Sequence, residues 1–403
     1  MQRFIARQPI LDAKQNLSGY ELLFRSKAEG GFVAPADGDA SATLIIESSF
    51  LFDLHSLCGG YPAFINLSQN SLLLEHALLL PSERIVVEVL ETVKPVPEVV
   101  AACRKLKQAG YRLALDDFED SPAWEPLLKL ANIVKIDFLS TSAAQKKSLA
   151  KRFGARGISM LAEKVERIED FNEAKRLGYR LFQGYFFARP QIISTRDVTA
   201  TKRQNLRIIA VLGRPEMNFA EVERMLKTEP SLCYKFLRYL NSPLLGFRSE
   251  IRSIRHAVAL IGENDFRRWL SAMAIVALGE DKPEELTLIS ISRGLFCESL
   301  ASQAGLAGRG TDLFFLGLLS VMDVLFGRPM AAVLDEIHVA PDVRDALTGK
   351  DNRFKQVLDC VTSYERGDWP ACSAVITKLR LSESSLPGLY LRSLDWARQA
   401  FSA

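Results

Sequence analysis

The sequence predicts an α/β fold, a TIM-like (β/α) barrel with an antiparallel first strand, followed by an all-α helical domain. Short apolar strands alternate with helix-length segments in the first half, a pattern typical of parallel sheets. Nearly every strand ends on a polar or charged residue, and no strand pattern occurs in the second half. A chain of 403 residues holds about two domains. We therefore predict a shortened barrel domain at residues 1–196 and a helical domain at residues 197–403.

The composition is that of an ordinary folded protein, with 48% hydrophobic residues, 25% charged residues and a net charge of +3. Such a charge creates no strong attraction for nucleic acid, so we expect no nucleic-acid partner. The six cysteines form no CxxC pair, which favours reduced core thiols. No signal sequence or run of membrane-spanning length is present, so we expect a cytoplasmic protein without membrane insertion.

The strands are predicted from short apolar runs bounded by turn residues or helix-length segments. A turn-rich stretch at residues 12–16 separates the first two strands and favours an antiparallel pair. The predicted strands cover residues 4–10, 17–25, 63–67, 84–90, 113–115, 133–136, 158–165 and 179–185.

Helices are predicted from amphipathic spacing, and Gly110 and Gly178 stop two of them. A loop rich in Gly, Pro and Asp is expected over residues 29–39. In the first half the predicted helices cover residues 40–57, 71–80, 96–110, 142–153 and 168–177, with a further helix-length segment at 122–130.

Polar residues recur at or near the strand ends, where all strands of a barrel converge on one face. In chain order they are Glu21, Asn66, Glu88, Asp116 with Asp117, Lys135, Glu163 and Gln183. Carboxylate and amide oxygens are hard ligands that suit Mg²⁺, Mn²⁺ or Ca²⁺ rather than zinc. Two such ions would activate a water and clamp a phosphodiester, with Lys135 steadying the water or the developing negative charge. The alternative is a purely structural network of salt bridges at the barrel mouth.

The motifs QPI, GYELLFR, INLS, VEVLE, LDDF, VKID, AEKVE and QGYFFARP occur in this order over about residues 3–192. Together they resemble the EAL domain, the family of cyclic-di-GMP phosphodiesterases. The resemblance implies hydrolysis of cyclic-di-GMP to linear pGpG with Mg²⁺ or Mn²⁺.

The resemblance also implies a role for each matching position. Lys135 would be the catalytic lysine and Glu163 the general base, while Glu166 and Gln183 match further active-site positions. Gln8 and Arg25 match positions that hold the dinucleotide. The implied metal ligands are Glu21, Asn66, Glu88, Asp116 and Asp117.

Several residues depart from the family pattern. Leu22 replaces the alanine beside the ligand Glu21, and we expect its larger side chain to narrow the site. The loop after the paired aspartates, FEDSP over residues 118–122, lacks the family's glycines, which permit tight turns and help the domain to dimerise. Lys164 stands where the family has a glycine next to the general base. Because a poorly positioned set of ligands can lose catalysis, the frame of the site is expected to be altered.

After a polar linker at residues 191–202, the second half carries only helix patterns. These cover residues 206–212, 219–226, 231–240, 254–261, 266–278, 286–304, 313–325 and 330–337 and extend to the C-terminus. The runs PSLCYKFLRYLNSP, IRSIRHAVALIG and DLFFLGLLSVMDVL resemble the HDOD domain. Neither His256 nor His338 is followed by Asp, so we assign this half no catalysis and expect it to bind a protein partner.

The leading hypothesis is a regulator of cyclic-di-GMP signalling whose barrel is catalytically weak or inactive. A homodimer is compatible with the sequence but is not predicted by it. The alternative is an active Mg²⁺- or Mn²⁺-dependent cyclic-di-GMP phosphodiesterase, since the implied ligands are all in place. A third hypothesis is a pure interaction protein with a structural barrel.

Overall fold

A computed structural model describes residues 2–27, 54–118, 121–189, 200–214, 216–227, 232, 234–236, 238, 254–337 and 339–402. The predicted loop at 29–39, most of the predicted helix at 40–57 and half of the one at 231–240 lie outside these residues, as do residues 119, 120 and 190–199 and His338. The chain forms two compact units. One comprises Met1–Arg189 with Tyr364–Pro370, and the other Pro190–Ser363 with Ala371–Ala403.

The first unit contains a closed barrel whose strands pair in chain order from β1 to β8. Strand β1 runs antiparallel to both β2 and β8, and all other neighbours are parallel. The strands are β1 Gln2–Asp12, β2 Leu17–Lys27, β3 Ala63–Leu67, β4 Ile85–Val89, β5 Arg112–Leu115, β6 Ile133–Asp137, β7 Ser159–Glu163 and β8 Leu181–Gln183. The predicted barrel with an antiparallel first strand is confirmed.

A layer of apolar side chains fills the interior of the barrel, as is usual for this architecture. Its members come from β1 and from β3 to β8: Ile10, Phe64, Val86, Ala114, Ile133, Leu161 and Leu181. On β2 the corresponding space is taken by Phe64 of the next strand, because a Cβ at Gly19 would lie 2.8 Å from its ring. Glycine is therefore needed at position 19.

The helices outside the barrel cover Leu54–Cys58, Gln69–Leu73, Pro97–Gln108, Glu125–Leu128, Ala143–Ala155 and Ile168–Leu177. The predicted helix at 71–80 is shorter than expected. It starts at the cap Ser68, whose hydroxyl accepts a hydrogen bond from the amide of Ser71, and the chain breaks at Glu75 with φ 58° before a 3₁₀ turn.

The regular structure in the described residues of the second unit consists of helices without any strand, which confirms the predicted all-α domain. Its helices are Ala200–Leu212, Phe219–Lys227, Ile254–Ile261, Glu263–Leu278, Glu284–Ser299, Gly310–Leu319, Met322–Phe326, Met330–Leu334, Pro341–Leu347, Arg353–Glu365, Trp369–Leu379 and Leu386–Ser402, the last residues of Arg353–Glu365 and the first of Trp369–Leu379 belonging to the barrel unit. A Cβ at Gly317 would lie 2.4 Å from the carbonyl oxygen of Arg293, so glycine allows the two helices to pack closely.

Two further expectations can be compared with the described residues. The cysteines among them, Cys58, Cys103, Cys297, Cys360 and Cys372, are buried and form no disulfide, as predicted for core thiols. Within the same part of the chain, no helix is both long and apolar enough to cross a membrane.

Candidate functional site

A layer of polar side chains lies next to the apolar layer of the barrel, two residues further along each parallel strand. Side chains two positions apart on a strand share a face, so this spacing directs the polar residues toward the same interior. Thus Val86 precedes Glu88, and Ala114 precedes Asp116, by two positions. The antiparallel β1 reverses the rule, because Gln8 comes two residues before Ile10 and pairs in register with Glu21.

Lys135 stands at the centre of this polar layer, and its side chain is only 1% exposed. Its Nζ lies 2.7 Å from Asp116 Oδ1, 2.8 Å from Glu88 Oε1, 2.9 Å from Glu163 Oε1 and 3.2 Å from Glu21 Oε2. The strand ends therefore bring four carboxylates and one ammonium group together inside the barrel.

Three amide side chains extend this cluster through Glu21. Asn66 Nδ2 donates to Glu21 Oε1 at 2.8 Å, and Gln183 Nε2 donates to Glu21 Oε2 at 2.7 Å. The same Gln183 Nε2 also donates to Gln8 Oε1 at 2.8 Å. Glu21 is thus fixed from both sides, and Gln8 is linked to it through Gln183.

The carboxylates of the cluster differ in their pKa. Burial raises the pKa of Glu163 to about 8, and the charges of Asp116 and Glu21 oppose the lowering effect of Lys135. Burial also raises the pKa of Asp116, and it raises that of Glu88 well above its usual range. Burial would raise the pKa of Glu21 too, but Lys135 and the hydrogen bonds from Gln183 and Asn66 outweigh it and lower the pKa.

The cluster has more acid than its one lysine neutralises. Burial would lower the pKa of Lys135, yet its four carboxylate neighbours raise it well above the usual value, so this group is charged. One positive charge facing four carboxyl groups leaves an excess of negative charge unless protons or cations bind. Burying an uncompensated charge is costly, so such a site attracts cations.

Unsatisfied oxygens in the polar layer test whether a divalent metal would fit. Among the described residues, buried atoms without a hydrogen-bond partner include Asn66 Oδ1, Glu88 Oε2, Asp117 Oδ1 and Glu163 Oε2. Hard oxygen atoms of this kind suit Mg²⁺ or Mn²⁺. In the described part of the chain, however, no three His, Cys, Asp or Glu side chains are placed as ligands of one ion, since the carboxylates point to Lys135. The donors fit the metal, which would compete with the lysine for them.

Asp117 lies apart from the Lys135 cluster. Its backbone is left-handed, with φ 37°. Phe118 is held beyond it by a 3.1 Å hydrogen bond from its amide to the carbonyl of Lys135, and its ring packs edge-on against Phe153. The Asp117 carboxylate instead lies 3.8 Å from Lys164 Nζ.

Other residues predicted for the site are placed as follows. The half-exposed Glu166 forms an ion pair with Arg189 and has no ion pair with Lys135. Arg25 lies in β2, but its side chain lies outside the described residues. Alternation along β2 directs the buried Leu22 to the face opposite Glu21, so the expectation that it narrows the site is wrong.

Asp137 and the segment Tyr364–Pro370 contact site residues although the sequence predicts no role for them. Asp137 Oδ2 accepts a 2.6 Å hydrogen bond from Lys164 Nζ, and the strand pairing of Asp137 with Glu163 could have indicated this. Gln8 Nε2 donates at 2.9 Å to the carbonyl of Arg366, which belongs to the same compact unit. No sequence pattern indicated that second contact.

Two family models match the chain consecutively, the EAL domain at residues 2–190 and the HDOD domain at residues 201–333. The chain is 31% identical over 412 aligned residues to the uncharacterized protein YuxH of Bacillus subtilis (strain 168), with 100% of both chains covered. The chain belongs to the EAL–HDOD family. This EAL–HDOD protein is also 34% identical to the cyclic di-GMP phosphodiesterase CdgJ of Vibrio cholerae serotype O1, over 91% of its own length and 85% of that protein.

Solved structures also resemble the EAL–HDOD protein over slightly less than half of its length. A manganese and cyclic-di-GMP complex of Klebsiella pneumoniae BlrP1 is 26% identical, with a TM-score of 0.39, and the match covers 46% of this chain and 55% of that one. An EAL domain protein from Listeria monocytogenes EGD-e is 22% identical, with a TM-score of 0.37, and the match covers 47% of this chain and 88% of that one.

Proposed function

We propose that the barrel binds cyclic-di-GMP together with Mg²⁺ or Mn²⁺ and that it hydrolyses the nucleotide weakly or not at all. In this proposal the protein is a regulator that acts through a protein partner of its HDOD domain. The observation that carries the proposal is the excess of buried carboxylate around Lys135. An excess of buried carboxylate is not explained by stability alone, because burying balanced pairs of opposite charge costs less free energy.

The cation would be held by the residues with the hard oxygen donors, namely Glu21, Asn66, Glu88 and Asp116. A divalent ion in this position supplies a Lewis acid that polarises a phosphoryl oxygen and lowers the pKa of water. The chain's own residues arrange the remainder of the site. Gln183 orients Glu21 by its 2.7 Å hydrogen bond and connects it to Gln8, a position expected to hold the dinucleotide.

Weak turnover is proposed because the groups needed for catalysis are engaged elsewhere. A general base must be free of its proton, yet the pKa of Glu163 is raised to about 8 by burial and the carboxyl also contacts Lys135 at 2.9 Å. Asp117, the second of the paired aspartates, lies next to Lys164 rather than in the Lys135 cluster. Free energy would be needed to deprotonate Glu163 and to separate Asp117 from Lys164 before a reaction could proceed.

A second candidate is an active cyclic-di-GMP phosphodiesterase. The favouring observation is that Glu21, Glu88, Asp116 and Glu163 all reach one lysine within 3.2 Å, as a set of ligands and base for one reaction would. The relative CdgJ is named as a phosphodiesterase of this kind and is similar over most of this chain.

The test is an assay on the full-length protein. Cyclic-di-GMP binding would be measured by calorimetry with Mn²⁺ and with EDTA, and pGpG would be counted in the same samples, with Glu21→Ala alongside. We expect metal-dependent binding that the variant loses, and turnover well below the 1–10³ s⁻¹ that is typical of enzymes. Turnover within roughly that range, absent in Glu21→Ala, would establish the second candidate. No binding in either buffer would refute both.

The HDOD domain is proposed to bind a protein. His256 is followed in the sequence by Ala257 and not by Asp, so this position does not supply an adjacent His-Asp pair of metal ligands. Ser320 accepts a 2.8 Å hydrogen bond from Arg293 within the helical unit. This contact is consistent with a structural role for Ser320.

A further inference from the structure

Lys164 occupies an unfavourable backbone position immediately after Glu163, at the end of β7. Its φ of 54° lies in the left-handed region, which is unfavourable for a residue with a Cβ. Glycine would adopt this conformation freely. A lysine here therefore needs a compensating interaction, and its side chain shows which one.

The Lys164 ammonium lies between Asp137, the last residue of β6, and Asp117, which follows the end of β5. Nζ donates to Asp137 Oδ2 at 2.6 Å and lies 3.8 Å from Asp117 Oδ1. Burial would lower the pKa of Lys164, but Asp137 and Asp117 outweigh it and raise the pKa, so the group is positive.

Asp137 holds the lysine in place. Its other oxygen, Oδ1, accepts hydrogen bonds from the amides of Leu139 at 2.7 Å and Ser140 at 3.0 Å. The carboxylate is therefore fixed by the backbone of the turn after β6, and it keeps its charge because these hydrogen bonds and Lys164 lower its pKa against the effect of burial. A fixed carboxylate orients the flexible lysine toward Asp117.

Each of the adjacent aspartates thus has its own lysine. Asp116 Oδ1 lies 2.7 Å from Lys135, and Asp117 Oδ1 lies 3.8 Å from Lys164 and has no hydrogen-bond partner among the described residues. A carboxylate next to a held ammonium is a poorer ligand for a second positive ion, since the two cations repel each other.

We propose that Lys164 is a tethered cation that takes the place of a second divalent ion at Asp117, so that the barrel mouth binds one divalent ion. This inference rests on the proposed metal-dependent function. It makes Lys164 a positioning residue that determines metal stoichiometry, with Asp137 as its anchor.

The test is a measurement of the number of Mn²⁺ ions bound per chain. Mn²⁺ binding would be measured by calorimetry and by the EPR signal of the free ion, for the wild type and for Lys164→Gly and Lys164→Arg. Lys164→Gly suits the left-handed backbone and removes the ammonium, while Lys164→Arg keeps the charge. We expect one ion in the wild type and in Lys164→Arg, and two ions in Lys164→Gly.

Gln15→Gly is a matched control, because Gln15 is also left-handed, with φ 65°, but lies in the turn after β1. It should leave the count at one. Two ions in the wild type, or one in Lys164→Gly, would overturn the tethered-cation proposal and leave the proposed function standing. No bound ion in any of these proteins would overturn the proposed metal site and the inference with it.

Discussion

The two units of the molecule treat their buried charges in opposite ways. In the helical unit, Arg267 is 3% exposed and is satisfied by the carboxylate of Glu263 and by the carbonyls of Leu212 and Arg214. In the barrel, Lys135 is equally buried but faces four carboxylates. The first arrangement is balanced within the chain, whereas the second is not.

This difference is the reason that we propose a ligand site in the barrel and none at Arg267. Charges that are paired within the chain serve folding, and nothing further has to bind for them to be stable. An excess of one sign in a buried place is stable only with protons or an external cation, so it is kept where a function requires it. Measurements of stability can therefore distinguish a binding site from a structural ion pair.

The largest effect is expected from removing the central cation of each unit. Lys135→Met leaves four carboxylates without a counter-ion and should cost about 3–5 kcal/mol of unfolding free energy in EDTA. Arg267→Met should cost about 2–3 kcal/mol through lost charged hydrogen bonds. Both would be measured by urea unfolding with and without Mn²⁺.

Metal should act on one variant only. Mn²⁺ should replace the missing charge in Lys135→Met and restore part of the lost stability. It should not restore Arg267→Met, where the lost contacts are those with Glu263 and two backbone carbonyls. An equal response of the two variants to Mn²⁺ would contradict the contrast between the units.

A smaller effect is expected from pH. The folded-state pKa of Glu163 is about 8 against an ordinary 4.5, so the folded protein holds a proton that the unfolded chain has lost between these values. This contribution to stability is complete below pH 4.5 and disappears as the pH rises through about 8. In EDTA, the unfolding free energy of the wild type should fall between pH 6 and pH 8. Unfolding releases up to one proton from Glu163 in this range, which corresponds to a slope of about 1.4 kcal/mol per pH unit.

Glu163→Gln serves as the comparison, because an amide of similar shape does not titrate. Its slope over the same pH range should be smaller by about one proton. Identical slopes for the two proteins would show that Glu163 keeps an ordinary pKa.

The smallest effect is expected at an exposed ion pair of the helical unit. Arg309 lies 2.9 Å from Asp342, but both side chains are more than a third exposed. Water screens such a pair, so Asp342→Asn should change the unfolding free energy by less than about 1 kcal/mol. A loss of several kcal/mol in thermal or urea unfolding would mean that exposed pairs in this unit matter as much as buried ones.

The barrel and its polar layer could be predicted because both follow from spacing along strands. A residue such as Glu88 at the end of an apolar run can only face the interior or the helices, and its neighbours on other strands select the interior. The pairing of Asp117 with Lys164 could not be predicted, since it depends on two left-handed backbone positions that carry side chains. The contact of Gln8 with the carbonyl of Arg366 joins residues too distant in sequence for any local pattern to indicate.

The segment Tyr364–Pro370 makes the barrel unit discontinuous in sequence. A gene fragment ending at residue 189 would encode all eight strands and the whole polar layer. It would still lack Trp369, whose ring centroid lies 5.7 Å from that of Phe4, and Gly367, where a Cβ would lie 2.5 Å from Leu23. The second half of the chain therefore cannot be exchanged for that of another protein without affecting the barrel. Recombination that brings in a second half from a distant relative must also bring residues that match β1 and β2.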